Sequence, residues 1–398
     1  MRFLQVTPQK HFNSRYTCRI SSESGSKYTF FSNFFEKTAR KLRENWLKME
    51  IIDFFFDFLI FQTVKNPNLK KNEPKSDNEP PKTLVSMEPD FYDPRGACHM
   101  IYWTDCIAQM AVDIRERQNA ANQSDFDFMK PKLVEYVFTV CVRLRLPNEV
   151  RFTAALILNS FMLRHLCSLH DFMERQEMSI QRKKREWENL ESNMERQIPL
   201  RILTAIQISS KFHSYHDSLS SRQVVNTLRK IGLPYTISAV LESEQRVFKL
   251  IGFKMPDSPL DACEMALKVL TFTMKKRGMI DEEKYNDLWQ HTLIVLDVCF
   301  INHIELYERF IRKCPAICRT EERLNISKFK WDIQLLAAAT VQTAYILLLG
   351  TSQIANVSVI INNLLRCDNA YVEPLKQSII ELACAKKNES IPECSTSS

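Results

Sequence analysis

Glycine is nearly missing, at 6 residues in 398, where an average chain carries about 7%. Dinucleotide-binding turns and phosphate-cradling loops need glycine for left-handed backbone and for close approach. Those sites are therefore unexpected, whereas helices need glycine at little beyond their C-caps. No CxxC pair occurs among the 12 cysteines. The nearest spacing is Cys314-Pro-Ala-Ile-Cys318, and HLCSLH at 165–170 offers histidines without zinc-site intervals. No metal and no cofactor is expected, and reduced, mostly buried thiols of an intracellular protein account for the cysteines.

Long apolar runs are missing too. The strongest, IIDFFFDFLIF at 51–61, is too short to span a bilayer and holds Asp53 and Asp57. The first residues lack the apolar core of a signal peptide, so a soluble chain with no membrane partner is expected. The formal charge of +7 has no dominant block, and dispersed Lys and Arg argue against direct nucleic-acid binding. No Ser/His/Asp or Cys/His grouping or carboxylate dyad stands at usable spacing, so the chain is not expected to be an enzyme.

What is present is helix. Hydrophobic residues make up 45% of the chain, enough for two ordinary cores. Apolar residues recur at helical spacing in 100–118, where Ile107, Met110, Ala111 and Ile114 share a face, and again in 129–146 and 149–166. A strongly charged stretch, 174–197, reads as a solvated helix or an extended connection. Its Arg182-Lys183-Lys184-Arg185 run fits either a nuclear-import patch or a charged exposed face. Next come IPLRILTAIQISSKFHS (198–214), a helix N-capped by Ser220 and closed by Gly232, and one capped by Thr236 and closed by Gly252. Ser258-Pro259 opens a second series at 260–277, 282–311, 330–349, 353–366 and 373–385. Two successive helical sets suggest an internal duplication.

Two charges do not fit. On a helical wheel of 198–212, Ile202, Ala205, Ile206, Ile208 and Ser209 cover a wide apolar or small arc. Thr204, Gln207 and Lys211 fall on a narrow polar strip, and small residues at 205, 209 and 210 let neighbouring backbones come close. In 237–251, Glu244 interrupts a stripe of Val240, Leu241, Val247, Phe248 and Ile251. A desolvated carboxylate costs several kcal/mol unless it is paired or faces a boundary that another molecule covers. Either Lys211 and Glu244 form an internal bridge that fixes register, or they form a docking point at the rim of the core.

In order along the chain, these residues resemble the cyclin box. The family's third helix ends in Ser-Lys-Phe or Ser-Lys-Tyr, matched by Ser210-Lys211-Phe212. Its fifth helix carries Leu-x-x-Glu and closes on aliphatic-x-Phe followed by Pro. Leu241 to Glu244 and Ile251-Gly252-Phe253 with Pro256 match that pattern. Met129-Lys-Pro-Lys-Leu133-Val-Glu135-Tyr136 stands where the family has Met-Arg-x-x-Leu and then Asp-Trp. Leu146, Asn148, Glu149 and Phe161 align with the turn and second helix.

The resemblance implies an all-α fold with a five-helix cyclin box at 126–256 and a second, divergent cyclin-like helical domain at 257–386. A helical extension (87–125), a poorly ordered N-terminal segment with linker (1–86) and a disordered tail (387–398) complete the expected layout. It implies a non-catalytic protein that binds a cyclin-dependent kinase and activates or localises it, through Lys211, Glu244, Phe212 and Gln207. Met129, Leu133 and Tyr136 stand at the family's substrate-docking groove, and Thr7 and Ser258 precede proline as candidate phosphorylation sites. The departures are Thr139 for an acidic residue, Tyr136 for Trp, His213-Ser214 for acidic residues, and an insertion at 167–196.

Within the family the chain is most similar to the divergent cyclin N-terminal domain-containing proteins that mark meiotic crossover sites, in their nematode form. That likeness implies a nuclear protein at recombination foci, with pro-crossover partners. A cyclin-fold nucleic-acid or transcription adaptor without a kinase is the alternative. Because Met49 and Met87 would both serve as later starts, part of the N-terminal segment is expected to be dispensable or not native to the mature protein. Mass spectrometry of the purified protein should then find no peptides from residues 1–48, and finding them would contradict this expectation.

Overall fold

Capping chemistry marks out the helices. The computed structural model describes residues 96–120, 127–214, 218–276, 283–314 and 326–389, with Pro89 and Phe91, and no strand occurs among them. The helices are α1 (Gly96–Ala120), α2 (Pro131–Arg143), α3 (Asn148–Arg175), α4 (Ile180–His213), α5 (Ser221–Lys230), α6 (Ile237–Leu250), α7 (Pro259–Lys276), α8 (Glu283–Ile301), α9 (His303–Lys313), α10 (Ile326–Lys330), α11 (Ile333–Leu349), α12 (Ile354–Leu365) and α13 (Asn369–Glu389). Ser220 and Gln223 make a reciprocal capping box at α5, and Thr236 accepts the Ala239 N–H at α6. Gly232 and Gly252 follow α5 and α6 at φ +80° and +73°, left-handed backbone that favours glycine. The fold is all-α, as expected. Residues 1–86, Thr7 among them, lie outside the described residues.

Two helices depart from the expected layout. Of the two alternatives for the charged stretch 174–197, a solvated helix is found from Ile180 onward, but it is continuous with the next one: α4 runs unbroken for 34 residues with Pro199 inside it. Trp187, Glu191 and Met194 turn inward at i, i+4 and i+7 and are buried. That inward stripe, against a lengthened α3, carries the helix through its polar half. Conversely, the single helix expected at 282–311 breaks at Asn302, whose side-chain amide donates to the Val298 carbonyl at 2.8 Å. An Asn that bonds its own preceding backbone competes with continued helix.

Helices α2 to α6 pack about α4, and α7, α8, α12 and α13 pack about α11, with α9 seated on α13. Every residue of α11 from Ile333 to Tyr345 is buried. By length and composition α3 could cross a membrane, yet most of its apolar window is buried against neighbouring helices. One apolar core continues from the earlier helices into the later ones. Phe138 of α2, Phe152 of α3 and Phe300 of α8 meet with ring centroids 5.0–6.1 Å apart. Beside them Arg151 grips Asp297 of α8 through Nε and Nη2 at 2.9 and 3.0 Å. Helix α1 lies on α7, α11 and α12, and Lys254, just past α6, reaches its Asp113 at 3.2 Å.

A second polar joint holds the seam. Asp127, ahead of α2, accepts Lys330 Nζ of α10 at 2.6 Å, with His303 Nδ1 of α9 at 3.8 Å. Burial opposes ionisation of Asp127, but the His303 and Lys330 charges and the Met129 N–H hold its carboxyl below the usual range. Burial lowers His303 to about 4 from an ordinary 6.5. Between those two pH values the unfolded chain binds a proton that the folded chain does not, so stability falls as pH falls through the window. The slope from this residue reaches about 1.4 kcal/mol per pH unit. Denaturant unfolding of a His303→Gln variant between pH 4 and 6.5 should lose that share of the slope. The share from buried His165, also lowered to about 4, should remain. An unchanged slope would contradict the assignment.

Candidate functional site

The last three turns of α4 are anchored on all sides but one. Thr204 and Gln207, on the polar strip, are buried rather than exposed, because the strip faces α5 and α6. Ser243 Oγ of α6 accepts Arg201 Nη1 at 2.6 Å and lies 2.7 Å from Thr204 Oγ1. Arg201 also donates to Gln197 Oε1 at 2.7 Å and stacks over the Phe161 ring. Gln207 Nε2 donates to Ser221 Oγ at 2.9 Å, while its buried Oε1 has no hydrogen-bond partner among the described residues. Ser209 Oγ donates to the Val150 carbonyl and Ser210 Oγ accepts the Leu219 N–H, each at 2.9 Å. The small residues at 209 and 210 thus tie α4 to α3 and to the segment leading into α5.

Lys211 emerges where this anchoring ends. Its Nζ donates to Glu244 Oε1 at 2.6 Å, with side chains 41% and 13% exposed. The carboxylate is held at the edge of the core and the ammonium stands in solvent. Next to Lys211, Phe212 is 59% exposed, and Leu241, one turn before Glu244, is 45% exposed. The buried stripe of α6 is Val240, Ser243 and Val247, so Glu244 and Leu241 face outward from it rather than lying within it. His213 fixes the frayed end: its Nε2 lies 2.9 Å from Thr153 Oγ1, and burial lowers its pKa. Its ring meets Phe212 edge-on at 5.0 Å. At the far end of α6, Arg164 donates to the Leu250 carbonyl at 3.0 Å, and Phe253 stacks on Phe248. A Cβ on Gly252 would come within 3.3 Å of that Arg164 guanidinium.

The structure separates the other expected site residues from the Lys211–Glu244 rim. Gln207 is fully buried and braces α5 through Ser221. Met129, Leu133 and Tyr136 are buried in the apolar core. The Asp127–Lys330 pair pins the segment that leads to them. Ser258 is likewise buried, and its Oγ accepts the Leu260 N–H at 3.2 Å as a helix cap. Among the described residues no group of three or more His, Cys, Asp or Glu side chains is placed to hold a metal. Arg201 and Ser243 are missing from the sequence-based site, although Ser243 lies three residues after Val240 and four before Val247, the spacing of a buried position.

A helical bundle with a lysine–glutamate pair at the rim of its central helix is the setting in which relatives become informative, and they support a cyclin-like regulatory protein. The chain is 27% identical to human Cyclin N-terminal domain-containing protein 1 over 241 residues, 60% of this chain and 71% of that protein. It is 26% identical to the mouse protein of the same name over 223 residues, 54% of this chain and 63% of that one. No family model and no solved structure matches the chain.

Interior and rim should respond differently to mutation. Ser243→Ala leaves the buried Arg201 guanidinium short of an acceptor and should cost about 1–3 kcal/mol in denaturant unfolding. Lys211→Met, at a partly exposed pair, should cost about 1 kcal/mol or less. Equal costs, or the reverse order, would contradict the division into interior anchor and open rim.

Proposed function

We propose that the chain is a non-catalytic, cyclin-like protein that binds a cyclin-dependent kinase through the rim formed by Lys211, Glu244, Phe212 and Leu241. One observation carries the reading: the charge pair sits at the boundary of the core with its lysine in solvent, flanked by exposed apolar side chains. Such a surface offers charged donors and acceptors at fixed positions beside apolar contact area, the composition of a protein interface. A protein kinase is active only when a strand lysine pairs with a glutamate on its mobile C-helix. A rigid helical face that binds the helix-in state better than the helix-out state shifts the population toward activity.

Gln207 contributes from beneath, by holding α5 against α4. With Met129, Leu133 and Tyr136 inside the core, selection of substrates falls to the kinase and to other partners. In keeping with the resemblance to meiotic cyclin-like proteins, we assign this activity to the nucleus, at recombination sites, alongside pro-crossover proteins. The 126–256 and 257–386 divisions belong to the same proposal, the second as a cyclin-like unit that braces the first across the Phe138–Phe152–Phe300 seam.

A Lys211→Ala, Glu244→Ala double variant tests the reading. It should keep the wild-type circular dichroism and melting profile yet lose its kinase on affinity purification from dividing germline tissue. The expected loss of binding is about 2–5 kcal/mol, because charges on the kinase would be left buried without partners. Undiminished recovery of the kinase would overturn the proposal.

A further inference from the structure

Residues 333–365 contain no Asp, Glu, Lys or Arg, in a chain that is 25% charged. For α11 the core accounts for this, since that helix is buried from Ile333 to Tyr345. For α12 it does not, because Val357, Ile361 and Leu365 are its buried residues and form one stripe. Other helices that bury a single stripe carry charge on their outer faces: Arg222, Arg229 and Lys230 on α5, Glu242, Arg246 and Lys249 on α6. At about 100° per residue, Ala355, Asn356, Val359 and Asn363 of α12 fall within an arc of about 100° opposite the buried stripe. All four are exposed, Val359 to 60%, and half-buried Ile360 flanks them. The side chains of Asn356 and Asn363 make no hydrogen bond among the described residues. An exposed face of this kind departs from the charged surface of a soluble protein, and charge is depleted where one protein covers another.

We infer that the outer face of α12 is where two copies of this chain pair, antiparallel about a twofold axis between Val359 and Ile360. Residues equally far from the axis in sequence then meet across it. Asn356 faces Asn363 of the second copy, and Val359 faces Ile360. A twofold contact sets a surface against itself, so any charge near its own counterpart is repelled. The chain carries a formal +7, and this face is one on which no like charges meet. An amide is donor and acceptor at once, so Asn356 and Asn363 can satisfy each other across the axis. A face with one sign of charge selects an opposite partner; a neutral face of amides and apolar groups complements itself. Because α12 is about 18 Å long, the contact is smaller than a standard interface of about 1,600 Å². The pair is therefore weak, with a Kd in the micromolar range.

The test is sedimentation velocity of the full chain from about 1 to 100 μM, under reductant so that exposed Cys384 forms no intermolecular disulfide. Wild type should shift from monomer to dimer as concentration rises. An Asn356→Lys, Asn363→Lys variant sets lysine against lysine across the axis and should weaken pairing at least about tenfold. An Asn356→Lys, Asn363→Glu variant sets lysine against glutamate in the antiparallel register alone, so pairing should return and become salt-sensitive. Both variants should melt as wild type does at the lowest concentration. The Lys211→Ala, Glu244→Ala variant should dimerise normally, which separates this face from the proposed kinase rim. A chain that stays monomeric throughout, or a dimer indifferent to the two lysines, would overturn the inference. So would failure of the lysine–glutamate variant to recover pairing, or a monomeric wild type whose α12 variants lose a different protein on affinity purification.

Discussion

A lysine that ends a buried helix and a glutamate on its neighbour meet at 2.6 Å, and the position of that meeting decides what α4 and α6 can present. Were the pair enclosed, it would only set register; were it fully solvated, each side chain would move independently. At the rim, the carboxylate is fixed by the core edge and holds the ammonium in turn, so two opposite charges stand at defined positions on the surface. That order depends on the polar seam below. Arg201, Thr204 and Ser243 satisfy one another in the interior, and Gln207 reaches Ser221. A buried network of this kind tolerates few alternative packings, because any slip leaves a polar group unpaired at a cost of about 1–3 kcal/mol.

Two central helices organise the rest. α4 and α11 are each surrounded by neighbours, and the groups around them are joined by aromatic contact and by two ion pairs of long sequence separation, Arg151–Asp297 and Asp127–Lys330. The second of these pairs bears directly on function. It pins the segment ahead of α2, next to Met129, and the side chains expected to form a substrate groove lie in the core.

Much of the fold is legible in the sequence because helices obey local rules. Ser220, Thr236, Gly232 and Gly252 announce the ends of α5 and α6 through cap chemistry that needs no tertiary information. The charge pair is legible too, since Lys211 ends a largely apolar helix and Glu244 stands among apolar neighbours in sequence, although the buried stripe of α6 runs beside it through Val240, Ser243 and Val247. What stays hidden is whatever depends on a neighbour. The polar strip of Thr204, Gln207 and Lys211 does not itself say which of its members is covered, and only the packing of α5 and α6 encloses the first two. The polar half of α4 looks like a connection because three buried positions, Trp187, Glu191 and Met194, are a weak stripe among so many charges. Groove and core cannot be told apart from an apolar pattern alone: the resemblance puts Met129, Leu133 and Tyr136 at a docking groove, and all three are buried in the core.

The most direct measurement is a double-mutant cycle on Lys211 and Glu244, run once for unfolding of the free chain and once for binding to a purified cyclin-dependent kinase. The pair is expected to couple weakly in the free protein, by about 1 kcal/mol or less, as exposed pairs do. In the complex, where both charges lose water together, the coupling should rise to about 1.5 kcal/mol or more. Equal coupling in the two settings, or a kinase that binds all four proteins alike, would show that the pair serves the fold alone.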